Sequence, residues 1–247
     1  MPKQGRELAR SEKAAAIRAD QARKERNRKV GLVAGIVVLL CAVIAAGTWY
    51  GSSSGSRTTS GTQGAPVAAS STSLTVGDAS APVKVVIYED FQCPYCRELE
   101  SSTRDFLREN AAKGKVSVEY QPINLLSQLP YSEKALNAWA AVLKHGTPEA
   151  ALKLHDLLYE HQPYEQDSAQ VTDSQIAGWV KDAGGDNAEV RTAMARKDDD
   201  FFASVQQLMD DTGLRGTPTV FIDGKELPAA SVPALVDQIE SAVDQAG

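Results

Sequence analysis

The sequence predicts an α/β domain. A β–α–β start is interrupted by a long helical block before the chain returns to strand and a closing helix, and one transmembrane helix precedes it all. Three observations carry this reading. "VKVVIYED" at 83–90 is β-rich and apolar on both faces, as a central strand is, and an amphipathic stretch and a second strand follow at once. Residues 126–211 show helical spacing with caps and stops. Residues 30–50 carry no charge over 21 positions, enough to cross a bilayer as a helix.

Residues 1–29 hold ten Lys/Arg and four Asp/Glu, net +6; the whole chain is −6, so the remainder carries −12. A basic run ahead of an apolar one is the positive-inside arrangement. It predicts a basic cytoplasmic segment (1–29), a membrane helix (30–50) ending in the interfacial aromatics Trp49 and Tyr50, and an extracytoplasmic remainder. The chain is thus expected to be a single-pass cell-membrane protein. The rival is a cleaved signal peptide with Ala45, Ala46 and Gly47 as cleavage region, for which the charged head is long. Cys41 reads as a small apolar filler in the membrane. The acidic remainder argues against nucleic acid as partner. Residues 51–73, rich in Ser, Gly and Thr, predict a flexible tether spanning about 25 Å.

The folded region is expected to begin near Leu74. After the first strand, residues 94–112 read as a helix carrying Leu99, Phe106 and Leu107, and 115–123 alternates as a second strand. Ser132 is expected to cap a helix bearing Leu136, Trp139 and Leu143 that closes at Gly146. Thr147-Pro148 opens another, a cap followed by Pro at the first helical position. A third covers 173–182. A fourth spans 187–210, with Asp198–Asp200 on a solvated face and Gly213 as its stop. Asp223-Gly224 between short apolar runs signals a hairpin. Ser231 to Ala246 closes the chain as a helix with Leu235, Ile239 and Val243 on one stripe. The expected units are 74–125 with 212–247, and an inserted helical domain at 126–211.

Cys93 and Cys96 flank Pro94-Tyr95 at the first strand-to-helix junction. A domain of this size buries a core without disulfides, so the pair calls for a chemical explanation. At a helix start the spacing brings both sulfurs within bonding reach. Cys93 then meets free backbone N–H groups and the positive end of the helix dipole, which stabilise a thiolate. Cys96, one turn in, is more covered and suits the resolving role. A structural disulfide would close a four-residue loop and remove little chain entropy. A metal site needs further ligands; His155 and His161 lie far along the chain on different helix faces, and each histidine, His145 included, is expected at a surface or helix end. Glu89 and Asp90 are candidates to relay a proton at Cys96, with surface placement as the alternative. Thr217-Pro218 before an apolar strand is a setting for a cis bond, against an ordinary trans turn. Facing Cys93, it would leave the Thr217 backbone to pair with an extended substrate.

The stretches "VKVVIYEDFQCPYC" and "GTPTVFIDG", with the helical block between them, resemble the DsbA-like thiol:disulfide oxidoreductases of the thioredoxin superfamily, of the membrane-anchored bacterial type, over roughly residues 74–245. The resemblance implies a thioredoxin fold with an inserted helical domain. It implies Cys93 as nucleophile, Cys96 as resolver, Pro218 as the cis proline and Thr217 beside it as substrate-binding. It implies no metal and no cofactor beyond the redox-active disulfide Cys93-Cys96. The implied partners are exported unfolded or cysteine-containing polypeptides and a membrane redox partner that recycles the disulfide. Two departures stand out. Pro94-Tyr95 replaces the His of the best-known oxidising members, which should make the disulfide less oxidising. The position six before the first cysteine, often a buried carboxylate, is Ile87. A reductase or isomerase would use the same cysteines, and a non-enzymatic peptide- or metal-binding module is the remaining alternative.

Overall fold

The computed structural model describes residues 64–228 and 231–246. The cytoplasmic and transmembrane readings at 1–29 and 30–50 lie outside the described residues, and among those described no helix is long and apolar enough to cross a membrane.

Six strands form one sheet: β1 (Val67–Ala69), β2 (Leu74–Val76), β3 (Val83–Glu89), β4 (Val116–Pro122), β5 (Thr219–Ile222) and β6 (Lys225–Glu226), in spatial order β1-β2-β4-β3-β5-β6. β3 and β4 are parallel, joined through helix α1 (Pro94–Ala112), and every other pairing is antiparallel. β3 lies centrally, with Val85 opposite both Val118 and Ile222, which explains its two-sided apolar character. Asp223 and Gly224 both take positive φ, 50° and 76°, as the two-residue hairpin joining β5 to β6 requires. Helix α7 (Val232–Gln245) packs its Leu235, Ile239 and Val243 stripe against α1, β3 and β5.

Between β4 and β5 stand α2 (Pro130–His145), α3 (Pro148–Glu160), a short 3-10 turn at Glu165–Gln170, α4 (Asp173–Asp182), α5 (Ala188–Met194) and α6 (Asp199–Thr212). α2 is the hub, packed by α3, α4 and α5. Its run from Ala138 to Leu143 is buried all round, as a helix surrounded by others must be. The Trp139 indole N–H still finds a partner, the Ala151 carbonyl at 3.1 Å. α3 also crosses β1, β2 and α1, so the helical insertion reaches the sheet beside the first strand-to-helix junction.

Four expectations need correction. β1 falls inside the segment read as tether: Val67 is buried and pairs with Val76, a strand too short for periodicity to show. Ser132 does not cap α2, which starts at Pro130 after Leu129; its hydroxyl donates to Asp90 instead. The expected helix 187–210 is two helices. Asp198 caps α6 by accepting from Phe201 N–H at 3.2 Å, so it is a cap and not part of a continuous solvated face. His155, expected at a surface or helix end, is wholly buried.

Candidate active site

β3 runs into the junction through Glu89 and Asp90, and α1 begins immediately after Cys93, which occupies its N-cap with extended backbone (φ −73°, ψ 119°). Pro94 sits in the first helical turn, where its missing N–H leaves nothing unpaired. The Cys93 carbonyl accepts from Cys96 N–H at 3.1 Å and Arg97 N–H at 3.2 Å, closing that turn and setting the two side chains side by side. Both cysteines are reduced; Cys93 is 4% exposed and Cys96 1%, so the sulfur at 93 is more covered than a freely accessible thiol. Its neighbours Pro94 and Tyr95 are exposed.

Thr217-Pro218 is cis and faces this turn, with the Cys93 thiol donating to the Thr217 carbonyl at 3.2 Å. Tyr95, Glu98, Thr217, Pro218, Val232 and Leu235 line a groove beside it, between the start of α1 and the start of α7.

The two thiols differ sharply in acidity. A hydrogen bond from Cys96 lowers the Cys93 pKa to about 6 against the cost of burial, with Thr217 and the Cys96 and Tyr95 amides adding to the effect. Burial pushes the Cys96 thiol well up, and the neighbouring Cys93 and the charge on Glu89 push it further. A thiolate at Cys93 beside a protonated Cys96 is the arrangement that thiol–disulfide exchange requires.

The helical insertion holds this turn from behind. Gln162, at the end of α3 and buried, donates to the carbonyls of Phe91 at 2.8 Å and Cys93 at 2.9 Å. Gln92 donates to Pro163 O at 3.0 Å. The Asp90 carboxylate, fully buried, accepts from Gln92 N at 2.8 Å, Leu126 N at 2.9 Å and Ser132 Oγ at 2.8 Å. Asp90 therefore anchors the junction to the start of the insertion. Asp90→Ala takes the acceptor from the Gln92 and Leu126 amides, while Ser132 Oγ can turn to Asn124 Oδ1 at 2.9 Å, and is expected to cost roughly 2–4 kcal/mol by chemical denaturation, with Asp90→Asn costing less.

Beneath the turn lies a buried ionic cluster. His155 Nε2 meets Glu89 Oε1 at 2.5 Å, and its Nδ1 lies 3.7 Å from Glu100 and 3.6 Å from Asp156. Arg104 Nε bonds Glu100 at 2.9 Å, and Arg108 grips both Asp156 oxygens at 2.9 and 2.5 Å. Arg104 also meets Glu160 at 2.8 Å, so four carboxylates face Arg104, Arg108 and His155, which favours an imidazolium at His155. The arginines also take up the oxygens that a metal would need, so the cluster reads as an ion-pair network. Burial opposes the charged form of His155, but Glu89, Glu100 and Asp156 outweigh it and raise the pKa to about 10. The stability contributed by a raised histidine pKa is complete below the unfolded value near 6.5 and lost as pH rises through the folded one. The disulfide form, in which neither thiol titrates, is thus expected to lose stability to urea between about pH 6.5 and 10.

Sequence reasoning placed Cys93, Cys96, Thr217, Pro218, Glu89 and Asp90 as candidates, and the fold brings all six around one turn. It missed His155 and Gln162, which come from the insertion. The one signal for His155 was its position on the inward face of α3, beside Leu154, Leu158 and Tyr159; Gln162 lies just past the end of that helix.

This fold, with a dithiol at the N-terminus of its first long helix and a cis proline facing it, is the thioredoxin-type arrangement suited to thiol–disulfide exchange. A thioredoxin family model (Thioredoxin_4) matches residues 69–245, and the chain belongs to that family. Among solved structures, MdbA, a thiol-disulfide oxidoreductase from Corynebacterium diphtheriae, is similar at 25% identity and TM-score 0.59, covering 76% of this chain and 95% of that one. BdbD from Bacillus subtilis shares the fold at 24% identity and TM-score 0.58 (70% and 91% covered). DsbA from Mycobacterium tuberculosis does so at 23% and 0.55 (69% and 92% covered). A sequence relative, the Na(+)/H(+) antiporter NhaA 3 of Salinispora tropica, is 29% identical over 150 residues, 60% of this chain. The match covers 21% of the antiporter, so the chain spans about a fifth of the length of the curated relatives it matches.

Proposed function

We propose that this protein donates the Cys93–Cys96 disulfide to exported, cysteine-containing polypeptides outside the cell membrane, to which residues 30–50 anchor it. A substrate thiolate attacks Cys93 Sγ, and the enzyme disulfide breaks with Cys96 leaving as a thiolate that takes up a proton. A second substrate thiolate then attacks its own half of the mixed disulfide. Cys93 leaves as a thiolate, the substrate is oxidised to a disulfide and the enzyme is left reduced. A membrane redox partner reoxidises it. The groove beside Pro218 takes the extended chain around the reacting cysteine, and Thr217 offers its backbone as the edge for that chain. Glu89 relays the proton at Cys96; Asp90, whose oxygens hold three donors, serves the backbone instead.

The observation that carries the oxidising direction is the low Cys93 pKa of about 6. A stabilised thiolate favours the reduced enzyme, and hence passing the disulfide on. It arises without a His between the cysteines, because Cys96 and backbone amides supply the hydrogen bonds. The reduction potential of the couple tests this. A value well above thioredoxin's, about −270 mV, is expected. A value at or below it would assign the same cysteines to a reductase. Support for the location comes from the charge asymmetry around residues 30–50. Protease added to intact cells without an outer barrier is expected to remove the domain, and protection would overturn the placement.

A further inference from the structure

Tyr95 and Glu98 stand three residues apart on α1, so they share one face of the helix, and both line the groove beside Pro218. Both are exposed; Tyr95, at 61%, shows most of its ring to solvent. We propose that this pair forms a subsite for an arginine side chain of the substrate, two residues from the cysteine that reacts. The inference rests on the proposed exchange with cysteine-containing polypeptides, and it names which of them the groove takes best.

Glu98 is the one acidic or basic side chain among the residues that line the groove, whose wall is otherwise largely apolar: Pro218, with Val232, Pro233 and Leu235 from the start of α7. Among the described residues its carboxylate has no ion-pair partner. Arg97, its neighbour in sequence, turns toward the insertion and donates to Gln162 O at 3.4 Å, and Arg104 is held by Glu100 and Glu160. Arg215, on the loop before Thr217, is exposed but lies outside the groove's lining. The positive end of α7 is met by its own cap, Ser231 Oγ accepting from Ala234 N–H at 3.3 Å, and that of α1 by Cys93. The groove therefore presents a single negative charge beside an aromatic face. A guanidinium suits both: its plane stacks on the ring while its N–H fork pairs with the carboxylate oxygens. Lysine, a compact and strongly hydrated point charge, gains less from the ring. The reach also fits. Glu98 lies five residues along α1 from Cys93, a rise of about 7.5 Å. In an extended substrate paired with the Thr217 backbone, the side chain two residues from the cysteine lies on the same face, about 7 Å away. The attacking group is a thiolate, which a lone carboxylate at the groove repels. An arginine in the substrate cancels that repulsion and favours the thiolate of its own cysteine.

The test is a competition. Three reduced dicysteine peptides, alike except for Arg, Lys or Glu at the positions two residues from each cysteine, are offered together to the oxidised full-length protein. The peptide disulfides formed are counted by mass spectrometry and corrected for each peptide's own reactivity with a small disulfide. The wild type is expected to favour the Arg peptide over the Glu peptide by about 5-fold, with Lys between them. Glu98→Gln should remove most of that ratio and Glu98→Lys should reverse it, while Tyr95→Leu should bring Arg and Lys level. Because all three peptides compete in one mixture, a loss of overall turnover in a variant cancels from the ratio. A ranking left unchanged by Glu98→Lys overturns the proposal. If that variant does not fold, salt decides on the wild type: the Arg preference should shrink as ionic strength rises, and a salt-independent preference overturns it. Should the oxidised protein act on none of the peptides, the same three offered as disulfides to the reduced protein read the reverse exchange. Inactivity in both directions defeats the redox reading and the subsite with it, whereas activity without a preference for Arg defeats the subsite alone.

Discussion

Cys96→Ser is expected to accumulate covalent adducts with cysteine-containing polypeptides, and Cys93→Ser to form none. The difference follows from what each sulfur can do. Cys93 is the ionisable one, at the helix start with its pKa lowered to about 6, and lies beside the groove and the Thr217 carbonyl. Cys96 is sealed in the core at 1% exposure and holds its proton strongly. Removing Cys96 leaves a mixed disulfide with no internal thiol to release it. Removing Cys93 takes away the attacking sulfur itself, and turnover should fall by at least about 10³-fold, on the scale of losing a covalent nucleophile. Non-reducing gels of the two variants, with thiol-blocked controls, read both outcomes. Equal adduct formation by the two would mean that Cys96 attacks substrate directly, against the firm hold of its proton. Cys96→Ala, which removes the leading hydrogen bond to Cys93, should let its thiol titrate higher than in the wild type.

The reduced protein should be more stable than the oxidised one, and the margin should grow with pH up to about 9. A thiol whose pKa is lowered in the folded state stabilises that state fully above its unfolded pKa, and loses the contribution as pH falls through the folded value. For Cys93 the window runs from about 6, in the fold, to the ordinary value of 9.0. The linkage gives about 1.4 kcal/mol at pH 7 and grows toward pH 9, present only in the dithiol form; above pH 9 the raised Cys96 pKa opposes it, because the unfolded chain ionises both thiols and the fold keeps Cys96 protonated. Urea titrations of both redox forms across this range separate the term from the His155 contribution, which both forms share. That contribution falls with rising pH, so the difference between the forms isolates the thiols, and below pH 9 it reports Cys93. A reduced form no more stable than the oxidised one at pH 9 would remove the driving force for disulfide donation.

The sequence carried the local chemistry and lost what depends on distant packing. Cys93, Pro94 and Cys96 were legible because helix-start chemistry is a short-range matter, and Thr217-Pro218 because its neighbours in sequence form the strand it precedes. Thr147, Gly213 and the Asp223-Gly224 turn were legible for the same reason: cap and turn preferences act within a few residues. Asp198 was the exception. Its cap lies inside a stretch whose apolar spacing runs on through both flanking helices, so the break was hidden. Ser132 failed differently, because a hydroxyl near a helix start favours capping unless a buried carboxylate from another element claims it. His155 and Gln162 were invisible as site residues. They reach the redox turn only because α3 folds back across the sheet and α1, some sixty or more residues after the cysteines. A histidine among leucines on a helix shows a buried face, but not the acid awaiting it on the sheet.

The most direct test of the whole account is the titration of Cys93 in the reduced protein, followed by ultraviolet thiolate absorbance and checked by the pH dependence of alkylation. One thiol is expected to ionise with a midpoint near 6, while Cys96 stays protonated well beyond the range of free cysteine. A midpoint at the free-thiol value of about 8.5 would contradict the account, since no helix start, neighbouring thiol or amide would then be holding the charge.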